Sequence, residues 1–273
     1  MTMMNRIDQS FSRLKEQKKK ALIVYITAGD PDLETTVRIA LELEQSGADV
    51  VELGVPFSDP LADGATIQAA SARALNRGTT LKGILSAVEK IRRRSEVPLV
   101  LMGYLNPILA LGAERFFARA GTVGVDGVII PDLPAGEMTR ISRESRRREI
   151  APIFLVAPNT PEERIKMIGR ESRGYIYCVS VKGVTGARTK LPRTIGSMVL
   201  RVKQSTALPV VVGFGISTPD QARWVCSPGG GKADGVVVGS ALIKVVEKNT
   251  DRRNLFASVS RFVRTLRKSL DQV

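Results

Sequence analysis

Asp49-Val50-Val51-Glu52-Leu53-Gly54-Val55 is a β-branched, apolar run broken by a single carboxylate in its interior. Apolar residues occupy both alternating faces, the pattern of a strand covered on both sides in a parallel sheet. Runs of the same character recur at Ala21–Thr27, Val97–Tyr104, Asp126–Ile130, Ile153–Ala157, Tyr175–Ser180, Val210–Gly215 and Gly235–Gly239, which makes eight in all. Charged, amphipathic stretches separate them, among them Leu33–Gln45, Leu81–Arg94, Pro134–Arg148 and Pro161–Arg170. Eight strand–helix alternations with no closing antiparallel hairpin predict an α/β fold of the (β/α)8 TIM-barrel type. A doubly wound dinucleotide-binding sheet fits less well, because no G-x-G-x-x-G follows the first run. Asn5–Glu16 reads as an extra N-terminal helix capping the barrel floor. Leu255–Leu270 carries Phe256, Val259, Val263, Leu266 and Leu270 on one side and is expected to pack on the barrel. No linker or low-complexity boundary interrupts residues 1–273, so one domain is expected.

A chain of 273 residues, 43% hydrophobic and 25% charged, buries enough core to need no disulfide or metal staple. Cys178 and Cys226 each follow apolar residues and read as reduced thiols. No signal-peptide pattern and no membrane-length apolar run is present, so a cytoplasmic location is expected. The net charge of +14 invites a nucleic-acid reading. The basic residues, however, fall on separate stretches at Arg92–Arg94, Arg146–Arg148 and Arg252–Lys268, without interleaved aromatics, so attraction for anionic substrates and partners is the milder reading. Histidine is absent. Ser-His-Asp and Cys-His mechanisms are thereby excluded, and acid–base chemistry falls to carboxylates, tyrosines or lysines.

A barrel builds its active site at the C-terminal ends of its strands, which directs attention to the segments following the runs. Glu52 is either a proton donor with a pKa raised by burial or a structural carboxylate satisfied by a neighbour. Asp63 follows on a long loop from the same strand and serves either as its ionised counterpart or as a helix cap. Asp59, before Pro60, reads as a turn or cap. Gly213–Ser217 and Gly239-Ser240 end strands seven and eight, where backbone amides at a helix start hold anions, and Gly183–Gly186 offers a third set; ordinary tight turns are the bland alternative. Ser180–Lys190 is long, small and polar, which suits a closing lid or a surface loop. Leu101, Met102, Ile130 and Phe154 read as core or pocket wall, and Tyr25, Tyr104 and Tyr177 are ambiguous between core and site. Pro228-Gly229-Gly230-Gly231 reads as a floppy connector on the opposite face.

The stretch Glu52-Leu53-Gly54-Val55-Pro56-Phe57-Ser58-Asp59-Pro60-Leu61-Ala62-Asp63-Gly64 closely resembles the signature of tryptophan synthase alpha chains. The likeness continues through Thr27–Pro31, Leu101–Pro107, Pro131–Pro134, Ala157–Thr160, Gly183–Gly186 and Gly213–Ile216, in order along nearly the whole chain. The resemblance implies retro-aldol cleavage of indole-3-glycerol phosphate to indole and glyceraldehyde 3-phosphate. It implies that Glu52 is the general acid/base at indole C3 and that Asp63 accepts the indole N–H. Tyr177 matches a site tyrosine and Thr185 a lid threonine that engages Asp63, while Gly186, Gly215, Gly239 and Ser240 match the phosphate cradle. Asp59 and the lid match elements that signal to a beta chain. No cofactor is implied in this chain; pyridoxal phosphate belongs to the beta chain of an α2β2 heterotetramer, which receives the indole. Ala65 stands where the family usually has proline, and Ser180-Val181-Lys182 replaces its more usual Ser-Arg-x. The alternatives are another phosphometabolite-acting barrel isomerase or epimerase, and a catalytically weak barrel that mainly activates a partner.

Overall fold

The computed structural model describes residues 4–179, 194–213, 215–249 and 254–273. Nine strand segments form one parallel sheet: β1 (Ala21–Thr27), β2 (Val50–Gly54), β3 (Leu99–Met102), β4 (Gly127–Ile129), β5 (Ala151–Ile153), β6 (Leu155–Val156), β7 (Ile176–Cys178), β8 (Val210–Val212) and β9 (Gly235–Val238). Their order is β5-β4-β3-β2-β1-β9-β8-β7-β6. Only Phe154 separates β5 from β6, so the two ends of the ladder meet in one broken strand and the sheet closes into the expected barrel. The break falls where pairing changes hands, from β4 (Ile129 beside Ile153) to β7 (Leu155 beside Tyr177).

Closure sorts the strand residues into two cores. Ile23, Val50, Val100, Ile129, Ile153, Val211 and Val237 fill the barrel interior. Their neighbours in sequence, such as Leu22, Val51, Leu53, Leu99, Leu101 and Val236, face the surrounding helices. These helices are α1 (Arg6–Glu16), α2 (Leu33–Gln45), α3 (Ala65–Asn76), α4 (Leu81–Arg92), α5 (Leu105–Leu111), α6 (Ala113–Val123), α7 (Met138–Arg146), α8 (Glu162–Glu171), α9 (Thr194–Ser205), α10 (Pro219–Cys226), α11 (Ser240–Lys248) and α12 (Leu255–Leu270). Leu101, Ile130 and Phe154 lie in the outer core. Pro228–Gly230 is a 3-10 turn, and a Cβ on Gly230 would stand 2.3 Å from the Trp224 carbonyl. Close packing thus corrects the reading of that stretch as a loose connector. Cys178 and Cys226 are buried free thiols. Among the described residues, no helix is long and apolar enough to cross a membrane.

The floor of the barrel is tied by a repeated device. Asp49, Asp126 and Asp234 precede β2, β4 and β9, and each donates its backbone N–H to the carbonyl of a residue in or beside a neighbouring strand (Leu22, Leu99 and Val210). Each carboxylate then accepts the N–H of that same residue, at 2.8, 2.8 and 2.9 Å. Arg267, Arg92 and Lys203 pair with the three carboxylates at 3.0, 2.8 and 2.7 Å. Each of these charges, wholly buried at Asp126 and partly buried at Asp49 and Asp234, is offset by both a cation and a backbone donor. Helix α1 plugs the floor. Asn5 caps it by accepting from the Ile7 and Asp8 amides, and Ile7, Phe11 and Leu14 enter the interior core. Phe11 packs against Tyr175 with ring centroids 5.7 Å apart.

Removing that plug contact has a defined consequence. Phe11→Ala is expected to lower unfolding stability by about 3 kcal/mol, the usual range for emptying a buried phenylalanine site. Urea unfolding of the two proteins checks this; a loss under about 1 kcal/mol means that α1 rests on the barrel without filling it.

Candidate active site

Glu52 is central to β2, flanked by Tyr25 of β1 and Val100 of β3 in register. That register turns its side chain into the barrel interior, where it is 0% exposed. The Tyr175 hydroxyl donates to Glu52 Oε1 at 2.7 Å. Oε2 is buried and has no hydrogen-bond partner among the described residues. Burial raises the carboxyl pKa to about 7, against the smaller lowering effect of the Tyr175 hydrogen bond. The group therefore holds its proton near neutral pH without any neighbouring anion being needed to keep it there.

Asp63 lies at the end of the loop from β2 to α3, half-buried. It does not cap α3, because Gly64 holds that position without a side-chain bond. Burial, offset in part by a hydrogen bond from Tyr104, raises its pKa to about 6. The same Tyr104 hydroxyl accepts the Ala62 N–H at 2.9 Å, so one phenol fixes the loop and its carboxylate together. Tyr25 is raised by burial and then by the Asp63 and Glu52 charges; Tyr177 is raised by burial, then by Glu52, Tyr25 and Asp63. Both carboxyls thus act on the same two phenols.

A cavity of about 290 Å³ opens above this layer. Tyr25, Met102, Tyr177 and Val237 form its apolar base, and Asp63 and Ile67 stand at one side. Gly215, Ile216, Ser217, Gly239 and Ser240 line another part. Glycines make room for the phenols: a Cβ on Gly54 would lie 2.0 Å from the Tyr25 hydroxyl, and one on Gly213 would lie 2.1 Å from that of Tyr177. Ser240 opens α11 at the cavity, and the first amides of a helix are the kind of group that holds anions. Glu52 does not line the cavity; it lies behind the tyrosine layer.

Of the residues singled out from sequence, Asp63, Tyr177, Gly215, Gly239 and Ser240 meet at one cavity, with Glu52 enclosed behind its tyrosines and hydrogen-bonded to Tyr175. Thr185, Gly186 and the segment Ser180–Lys190 lie outside the described residues. Met102 and Tyr25 resolve as cavity walls. Tyr175 was not foreseen, although its spacing of two from Tyr177 in a strand places both on one face. Ile67, Lys244 and Lys248 were also missed, since nothing in a helix pattern distinguishes a cavity face from a solvent face.

A closed parallel barrel with a proton-holding carboxyl, a second carboxylate and a helix start at one cavity defines a barrel enzyme of acid–base chemistry. A sequence profile described as tryptophan synthase alpha chain matches residues 11–271. A tryptophan synthase alpha chain from Geobacter sulfurreducens is 50% identical over 267 residues, covering 98% of this chain and 99% of that relative. The crystal structure of tryptophan synthase subunit alpha from Legionella pneumophila superposes with a TM-score of 0.91 at 39% identity, covering 99% and 100% of the two chains. The structure of Mycobacterium tuberculosis tryptophan synthase aligns at a TM-score of 0.89 and 34% identity, covering 98% and 99%. The chain belongs to the tryptophan synthase alpha chain family.

The raised pKa of Glu52 has a sign that unfolding experiments read. Its folded value of about 7 exceeds the model-peptide 4.5, so the native state binds the extra proton between those values. Stability from this group is full below about pH 4.5 and is lost as pH rises toward 7. Glu52→Gln keeps an acceptor for Tyr175 and cannot ionise. It is expected to unfold at higher urea than the parent at pH 8, by up to about 3 kcal/mol, with the gap much reduced at pH 5. An equal difference at both pH values contradicts the assignment.

Proposed function

We propose that this chain is the lyase that cleaves indole-3-glycerol phosphate into indole and glyceraldehyde 3-phosphate by a retro-aldol route. The observation that carries the reading is the protonated, dry carboxyl of Glu52 beneath a cavity with a carboxylate on one side and an anion-binding helix start on another. Family membership favours this substrate over those of sugar-phosphate isomerases that share the barrel.

Glu52 delivers its proton to indole C3. To reach it, the side chain turns from Tyr175 and gives up one hydrogen bond worth about 1 kcal/mol, small beside the 10²–10⁴-fold that general acid catalysis contributes. Asp63 accepts the ring N–H, and its negative charge offsets the positive charge that C3 protonation places on the ring. The bond from C3 to the carbinol carbon then breaks, and its electron pair restores the aromatic ring. The carbinol becomes the aldehyde, and its hydroxyl proton returns to the Glu52 carboxylate, so the acid is regenerated within one turnover. Tyr25, Met102 and Tyr177 supply the apolar bed for the indole. Gly215, Gly239 and Ser240, with Gly186, hold the phosphate through backbone amides. Thr185 engages Asp63 as Ser180–Lys190 closes, and Asp59 transmits that state to the partner.

That partner is a tryptophan synthase beta chain in an α2β2 assembly, where pyridoxal phosphate supports condensation of the released indole with serine. No metal or organic cofactor is assigned to this chain, and no nucleic acid or membrane partner. The chain works as one domain in the cytoplasm.

Purified chain is incubated with indole-3-glycerol phosphate, with and without a beta chain, and indole is measured. Glu52→Gln is expected to lower indole release by about 10³-fold with glycerol phosphate binding retained; turnover like that of the parent removes Glu52 from its role. The pH profile of kcat/KM is expected to be bell-shaped. Activity falls below about 6 as Asp63 takes up a proton and falls above about 7 as Glu52 loses its own. A flat profile between pH 5 and 8 contradicts this division of labour.

A further inference from the structure

The cavity is electrically lopsided. Asp63 is the one carboxylate among its described lining residues, and Lys244 and Lys248 of α11 are its cations. Ser240, Ala241, Lys244, Val245 and Lys248 all line it, a single stripe of α11 at helical spacing. The acidic residue of this helix, Glu247, is drawn away from the cavity by Arg73, at 2.9 Å. Among the described residues neither Lys244 nor Lys248 has a carboxylate within ion-pair distance. Two like charges four residues apart slightly destabilise a helix; the helix dipole favours Lys248, in the last turn, but not Lys244 in the middle of α11.

A phosphate monoester carries about −1.5 to −2 charge at neutral pH. A helix start offers about +0.5, so the amides of Gly239 and Ser240 leave roughly one negative charge or more uncompensated. Side chains of a helix lean toward its N-terminus, which carries the Lys244 ammonium back over the turn that Ser240 begins.

Resting on the proposed substrate, we infer that Lys244 is a substrate-positioning residue that pairs with the phosphate of the ligand, with Lys248 adding a weaker field behind it. The opposed charges then orient the substrate along the cavity: the ring that becomes cationic lies toward Asp63 and the dianion toward Lys244. Reversed binding would set phosphate against carboxylate.

Calorimetric titration with sn-glycerol 3-phosphate tests the inference, with indole titrated in parallel as an uncharged ligand for the other part of the cavity. Lys244→Gln is expected to weaken glycerol 3-phosphate about five- to tenfold and to leave indole affinity unchanged. Lys244→Arg is expected to stay within about twofold of the parent, and Lys248→Gln to lose about twofold. The dependence of affinity on salt is expected to be shallower in Lys244→Gln, a change that a merely structural lysine does not produce. In turnover the loss appears in KM with kcat preserved, since the contact lies far from the reacting carbon. If the parent binds glycerol 3-phosphate and Lys244→Gln binds it equally well, the lysine's role is overturned while the phosphate cradle stands. If the parent itself does not bind it, the cradle and the proposed substrate fall together, and the inference with them.

Discussion

Burying Glu52 between Tyr25 and Val100 removes its carboxyl from water, and the barrel offers it one hydroxyl donor and no cation. An ionised group there would stand uncompensated at a cost of several kcal/mol, so the proton is retained instead. Tyr175 suits that state, because a single hydrogen bond to Oε1 orients the group without stabilising the anion enough to discharge it. Had an arginine stood in place of Tyr175, the carboxyl would be ionised and useless as a donor. The interior of a closed barrel is thus both a core and the device that sets the protonation state.

Such a site demands a rigid base, and the two ends of the barrel divide the tasks. At the floor, Asp49, Asp126 and Asp234 each hold a backbone amide and a cation, and Phe11 of α1 backs Tyr175 from below. Toward the mouth, polar groups are left available: Glu52 Oε2, beneath the cavity, lacks a hydrogen-bond partner among the described residues, and the start of α11 lines the cavity. The paired hydrogen bonds of the three aspartates at one end fix the register of the strands whose opposite ends line the cavity. Contacts at the floor therefore reach the site through strand register and through the Phe11–Tyr175–Glu52 stack.

The repeating alternation of apolar runs and charged helices made the barrel legible before any coordinates, because a parallel strand covered on both faces leaves an unmistakable continuous apolar signature. Glu52 was legible for the opposite reason, since a carboxylate inside such a run needs an explanation, and Asp63 because its loop leaves the same strand at the end where a barrel builds its site. Strand ends were less so, and the pattern missed that the fifth strand breaks at Phe154, since hydrophobicity does not say which neighbour a residue pairs with. Tyr175 was hidden because a phenol at the start of an apolar strand has the same appearance whether it fills a core or holds an acid. Pro228–Gly231 misled because glycine marks both loose chain and tight packing, and only the approach of the Trp224 carbonyl to Gly230 separates the two.

A chain without histidine still needs groups that poise carboxyls across neutrality, and here tyrosine fills that place. The chain has four tyrosines, and all four surround the two carboxyls: Tyr175 and Tyr104 hydrogen-bond to Glu52 and Asp63, and Tyr25 and Tyr177 lie within reach of both charges. A phenol is neutral throughout the working pH range, so it orients a carboxyl without adding a charge whose own titration would shift the site. What separates the pair is burial: Glu52 is wholly enclosed and sits near 7, while Asp63 is half-buried and sits near 6. A difference of depth within one barrel interior is therefore enough to hold the two carboxyls at different proton affinities.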